Sequence, residues 1–219
     1  MVMDKRSEQL QHLTEIRSMM ERSSRFISLS GLSGVAAGII ATLGVAVKYM
    51  YLGTSPFDRL TIEVMQDPNY ENWGYGILTF LIGIALIVFG LAAVFGMYFT
   101  YKATHKRGQT LWRSSSKRVL ANGMLPLITG GIFCLALILK GHIELLLPSS
   151  LIFYGLACIN SSKYTLNDIL YMGIIEVVLG CIGLFHTDFG LELWALGFGV
   201  LHIIYGAIMY KKYEGNTAQ

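Results

Sequence analysis

The chain has 219 residues, of which 53% are hydrophobic and only 14% are charged, where soluble domains carry about 25% charged residues. A net charge of +3 gives no footprint for nucleic acid, and the three cysteines, Cys134, Cys158 and Cys181, all lie in apolar runs without CxxC or Cys/His spacing, which argues against a disulfide framework or a cysteine metal site. There is no Walker A loop, GxSxG, HExxH or intramembrane Asp pair, so no enzymatic constellation stands out.

Residues 1–26 come first. Leu10, Leu13, Ile16 and Met20 recur at helical spacing among charged residues, the pattern of an amphipathic helix lying on the inner leaflet or against cytoplasmic loops. The first apolar run starts at Phe26 and is too long for a signal-peptide core, so it reads as an uncleaved signal anchor. Residues 27–47 and 75–101 contain no charge, and each exceeds the roughly 20 residues that cross a bilayer. The spans are read as 27–47, 75–99, 119–139, 143–160, 166–185 and 191–210, within a transmembrane domain 27–212 followed by a tail 213–219. In lipid the backbone must bond within its own segment, so the fold class is all-α, a polytopic bundle of six transmembrane helices. The loop 48–74 carries Asp58, Glu63, Asp67 and Glu71, and Pro56 and Pro68 bracket a possible short surface helix.

Charge sets the orientation. Fourteen Lys and Arg fall on one side, chiefly Lys5 to Arg25, Lys102 to Arg118, Lys163, Lys211 and Lys212, and three on the other, Lys48, Arg59 and Lys140. The positive-inside rule places the first side in the cytoplasm, with both termini inside. Tyr49, Tyr51, Trp73 and Trp194 at outer ends and Tyr98, Tyr101, Tyr164 and Tyr210 at inner ends fit aromatic belts. The basic face suits anionic lipid or a cytoplasmic protein partner.

The 24 glycines concentrate in the spans. Gly34 and Gly38 in the first helix, Gly83 and Gly90 in the second, Gly173 and Gly180 in the fifth and Gly199 and Gly206 in the sixth read as packing positions, where small residues let helices approach closely. Tyr/Lys clusters end each even-numbered helix, and Tyr154-Gly155 recurs as Tyr205-Gly206. This suggests three pseudo-repeated hairpins related by an axis along the membrane normal. Pro126 and Pro148 are expected to bend the third and fourth helices.

Two ionisable residues lie deep in spans. Glu176 and His202 are each about eight residues, roughly 12 Å, from the cytoplasmic end. Each has glycine at i−3 and i+4, which places it on the packing face of its helix. Buried charges in membranes are rare and usually paired, so the two are read as an intramembrane polar pair that relays protons, senses pH, binds a ligand or simply fixes one helix against the next. His142, Glu144, His186, Asp188 and Glu192 form a possible outer vestibule or weak metal site. No His pair has metal spacing, and no cofactor is expected.

Three stretches, Glu15–Gly34 (EIRSMMERSSRFISLSGLSG), Leu151–Ile169 (LIFYGLACINSSKYTLNDI) and Ala195–Glu214 (ALGFGVLHIIYGAIMYKKYE), resemble an uncharacterised group of bacterial six-helix integral membrane proteins. The three-hairpin plan is also loosely similar to the HdeD-like six-helix proteins associated with acid stress, a likeness of topology that carries no function by itself. The resemblance implies a multi-pass protein of the bacterial inner membrane. The expected role is non-enzymatic, regulatory or stress-related, exerted through partners or a homo-oligomer. The alternatives are a small transporter or channel using Glu176 and His202, and an intramembrane haem or redox protein through His202.

Overall fold

The computed structural model describes His12, residues 30–58, Asp67, residues 69–106, Gly108 and residues 114–215. The expected amphipathic helix in 1–26 and most of the acidic outer loop, with its possible surface helix, lie outside the described residues. What is described is helical, and six helices are long and apolar enough to cross a membrane, the architecture of a multi-pass membrane protein. They are α1 (Gly31–Leu52), α2 (Ile77–Lys106), α3 (Ser114–Leu139), α4 (Leu146–Ser162), α5 (Asp168–Phe185) and α6 (Thr187–Tyr213).

All six predicted spans correspond to helices. The largest differences in extent are at the far ends of α1 and α2 and at the start of α3, which begins at Ser114 rather than 119. α1 runs one turn past its expected end and takes Lys48 and Tyr51 into buried positions. It stops at Gly53, whose φ of +66° is left-handed and whose N–H bonds to Tyr49 O, a cap that favours glycine. α2 has 30 residues, about 45 Å, and so outreaches a hydrocarbon core of about 30 Å.

Between α1 and α2 the chain makes a two-residue antiparallel pair, Glu71–Asn72 with Tyr75–Gly76. Trp73 and Gly74 form its turn, both at positive φ, which is the geometry that matches strand twist in a two-residue hairpin. This hairpin caps α1. Asn72 Nδ2 donates to Tyr51 O (2.6 Å), and the Tyr70 hydroxyl lies 3.1 Å from both Tyr51 O and Leu52 O, satisfying carbonyls that a helix end leaves open. The Tyr51 ring stacks on Phe80 at 3.7 Å and meets Tyr70 and Trp73 edge-on. Tyr51 is therefore a buried packing residue, not a member of the outer aromatic belt.

Helix order follows from where glycines remove side chains. α1 runs antiparallel to α6: Gly34 faces Gly206 and the carbonyl of His202, and a methyl at Gly38 would lie 2.6 Å from Gly199 O. α4 and α5 cross as closely, with Gly155 and Gly173 each against the other's carbonyl and Gly180 against Pro148 O. α2 joins through Val88 against Gly44, and α3 through Gly123 and Gly130 against Ser161 and Phe153 of α4. The molecule thus runs α2, α1, α6, then α5 with α4, then α3.

Two sequence expectations change here. Gly83 and Gly90 have nothing within 4 Å; α2 meets α1 through another face, so among the described residues this pair packs against no other helix. Pro148 does not bend α4. It is the third residue of that helix, where no partner for its missing N–H is needed, and its ring packs on Gly183 and Gly190. The α5–α6 hairpin is also unlike the others. The small-residue face of α5 goes to α4 and that of α6 goes to α1.

Candidate functional site

The fold brings Glu176 and His202 together. His202 Nδ1 is 3.4 Å from Glu176 Oε1, with the Glu176 side chain 0% exposed and His202 5% exposed. Glu176 lies eight residues into α5, about 12 Å from its start. The glycines at i−3 and i+4 of each residue do not create this contact, because they serve α4 and α1. The residue that does is Gly197, where a methyl would stand 2.5 Å from Glu176 Oε2 and 2.6 Å from Leu151. Any larger residue there would push the carboxyl group off the axis of approach.

Gly197 belongs to an unusual part of α6. This helix starts with a 3-10 turn, Thr187–Phe189, continues as α-helix over Gly190–Trp194, widens to a π-helix over Ala195–Leu201, and returns to α-helix over His202–Tyr213. π-winding is rare and occurs mostly as single turns at functional positions. Ala195, Gly197 and Gly199 leave this stretch with few side chains to hold one winding over another.

His202 completes a chain of groups. Nδ1 lies 3.0 Å from Gly197 O, and Nε2 lies 2.8 Å from the Tyr154 hydroxyl. A carbonyl only accepts, so Nδ1 carries the hydrogen of the neutral ring and the Tyr154 hydroxyl donates to Nε2. Phe198 stacks on the imidazole, and Tyr154 packs beside both. Cys158 is buried one turn further along α4. Both carboxyl oxygens of Glu176 are buried without a hydrogen-bond partner, and the hydrogen on Nδ1 is directed at Gly197 O.

Comparison with known proteins finds no matching family model, no matching curated protein and no matching solved structure.

The outer vestibule is less coherent. His142 Nδ1 contacts Glu144 Oε1 at 3.3 Å in the turn before α4, while His186 and Asp188 lie exposed in the turn between α5 and α6. Among the described residues no group of three or more His, Cys, Asp or Glu is placed to hold a metal ion. The acidic residue that organises this end of the bundle is Glu192. It accepts from the Tyr49 hydroxyl (2.7 Å) and from Phe57 N–H (2.8 Å), and so ties the loop after α1 to the head of α6. Trp194 Nε1 adds a bond of 3.1 Å to Ser150 Oγ of α4.

The opposite end is tied by the last residues of α6. Lys212 and Tyr213 both bond Asp168 at the start of α5. Glu214 accepts from Gly31 N–H at 2.6 Å and lies 3.3 Å from Ser30 Oγ, placing a carboxylate on the positive end of α1.

Tyr154, Gly197 and Glu214 are not singled out as site residues by sequence, and Glu192 is read there only as a member of the possible vestibule, not as the tie to Tyr49 and Phe57. Tyr154 was visible only as half of the Tyr-Gly repeat. Gly197 is five residues before His202, roughly 140° around an α-helix from it; only the π-winding brings the two together.

Proposed function

We propose that the chain is a multi-pass protein of the bacterial cytoplasmic membrane, with both termini inside, that acts as a regulatory or stress-responsive module through partners or its own copies. It does so without catalysis and without conducting a solute. The observation that carries this reading is the complete burial of Glu176 against Gly197 and His202. A conduit built on the pair needs that carboxylate to be reachable from one face.

The orientation rests on the charge count. Support comes from the alternation of the helices: α1 Ser30 and Gly31, α5 Asp168 and α6 Glu214 meet at one end, and Lys102, Lys106, Lys117, Arg118 and Lys211 are exposed on the ends of helices that share that side. Anionic lipid or an acidic partner is the natural complement of such a face. Residues 1–26 would lie along it, and the three hairpins would keep a pseudo-repeat in their orientation.

The test is flux. Purified protein in liposomes with an internal pH-sensitive dye should leak protons no faster than empty vesicles. A saturable flux that disappears in Glu176→Gln would replace this reading with the transporter. A haem reading would need the Tyr154 hydroxyl to give up Nε2 of His202, and a purified protein with a Soret band would favour it.

A further inference from the structure

We propose that the single hydrogen on His202 Nδ1 is a proton-operated switch that sets the winding of α6, with Glu176 as the group that takes up the controlling proton. The proposal rests on the regulatory reading above and names its input.

Two acceptors compete for that hydrogen. Gly197 O is at 3.0 Å and Glu176 Oε1 at 3.4 Å, a difference of 0.4 Å. Which one holds it depends on the state of Glu176. A neutral acid leaves Nδ1–H on the carbonyl, which is the arrangement in this structure. An ionised carboxylate is the stronger acceptor, since hydrogen bonds to a charged group are about twice as strong as neutral ones. Neither oxygen has a partner, so an ionised Glu176 is free to recruit the Nδ1–H that lies 3.4 Å away. The titratable groups around it are few: His202 from α6, and Tyr154 and Cys158 from α4. On α5 itself the nearest acid is Asp168, two turns away and engaged by Lys212 and Tyr213. On α1, which packs on the far side of α6, the nearest charge is Lys48 at the outer end, close to Glu192. No fixed charge in contact with the pair overrides the proton.

The hydrogen matters because of what it holds. The bond from His202 to Gly197 O bridges five residues and closes over the π-helical Ala195–Leu201 stretch. With the Nδ1–H hydrogen bond redirected to the Glu176 carboxylate, this carbonyl loses its side-chain donor and the stretch loses a support for its wide winding. Rewinding turns the residues before it relative to those after it. Those residues are Trp194, bonded to α4, and Glu192, which secures Tyr49 and the loop at Phe57. A proton at mid-membrane is thereby linked to the outer surface through one helix. Access to the buried carboxyl comes by local opening, as it does for other buried groups.

The experiment is hydrogen–deuterium exchange of the full chain in lipid nanodiscs at mildly acidic and mildly alkaline pH, expressed as protection factors so that intrinsic exchange cancels. Protection in residues 195–201 is expected to fall as pH rises, by the roughly 5–150-fold of an ordinary coupling. The α4–α5 crossing stays unchanged. Glu176→Gln is expected to hold the same residues at their acidic protection at both pH values. Unchanged protection in the unmodified chain overturns the proposal whether or not the variant folds, and so does an undiminished pH response in the variant. Proton flux together with a pH response in 195–201 removes the regulatory reading and keeps the switch; no flux and no response removes the switch alone.

Discussion

At the residue scale, the two members of the buried pair are not equivalent. Glu176 brings two buried oxygens without partners, and burying a polar group without a hydrogen bond costs about 1–3 kcal/mol in protein mutational data. Glu176→Met is therefore expected to leave the thermal midpoint in detergent unchanged or to raise it by a few degrees, by up to about 1–3 kcal/mol. His202→Ala is expected to do the reverse. It opens a cavity under Phe198 and strands the Tyr154 hydroxyl, for a loss of about 2–4 kcal/mol. Midpoints measured side by side check the contrast, and a large drop for the Met variant would show that the carboxyl group carries stability after all.

At the element scale, glycine divides into two populations that sequence spacing does not separate. At Gly155 a methyl would meet Gly173 O at 2.6 Å and Val177 N at 2.8 Å. These are backbone atoms, so the helices must part. Gly155→Ala is expected to cost about 1–3 kcal/mol. Gly83→Ala, with nothing within 4 Å, is expected to cost nothing and to gain up to about 1 kcal/mol in helix propensity. Unfolding in mixed micelles distinguishes them; equal effects would mean that α2 is packed against something through Gly83. Glu214→Ala removes the carboxylate on the first turn of α1 and is expected to cost about 0.5–2 kcal/mol, with exchange at Gly31 and the amides just after it rising first.

At the scale of the whole molecule, six helices were legible because hydropathy and the absence of charge need no partner to be read. The site was legible only halfway. Depth and ionisable chemistry single out Glu176 and His202 in the sequence, since nothing else so polar lies midway along α5 or α6. Their neighbours are hidden. Glu214 caps a helix 183 residues earlier, and no local pattern announces that. Gly197 reaches Glu176 only because α6 departs from the winding that the periodicity assumes. Gly83 and Gly90 show the converse: a regular seven-residue interval says which residues share a face, not whether another helix comes to it. The orientation has its own test. In a background with Cys134, Cys158 and Cys181 replaced, a cysteine at Gly74 should react with an impermeant reagent from outside intact cells. One at Gly215 should react only after lysis, and the opposite pattern would invert the topology.

The pairing of α1 with α6 also has a consequence in time. The first helix to be made finds its glycine-faced partner only in the last. At about 5–20 residues per second, the stretch from Gly38 to His202 takes roughly 10–30 s to synthesise. During that interval α1 has α2 beside it but an open seam at Gly31, Gly34 and Gly38, and Glu176 enters the membrane before Gly197 and His202 exist to enclose it. An insertion chaperone holding α1 and α5 would have its longest residence on this chain just before α6 emerges. A chain stopped ahead of α6 would display both an unfilled helix groove and an unsheltered carboxyl group, the features a membrane protease selects. Completion of α6 is therefore the step that closes both the α1 seam and the enclosure of Glu176.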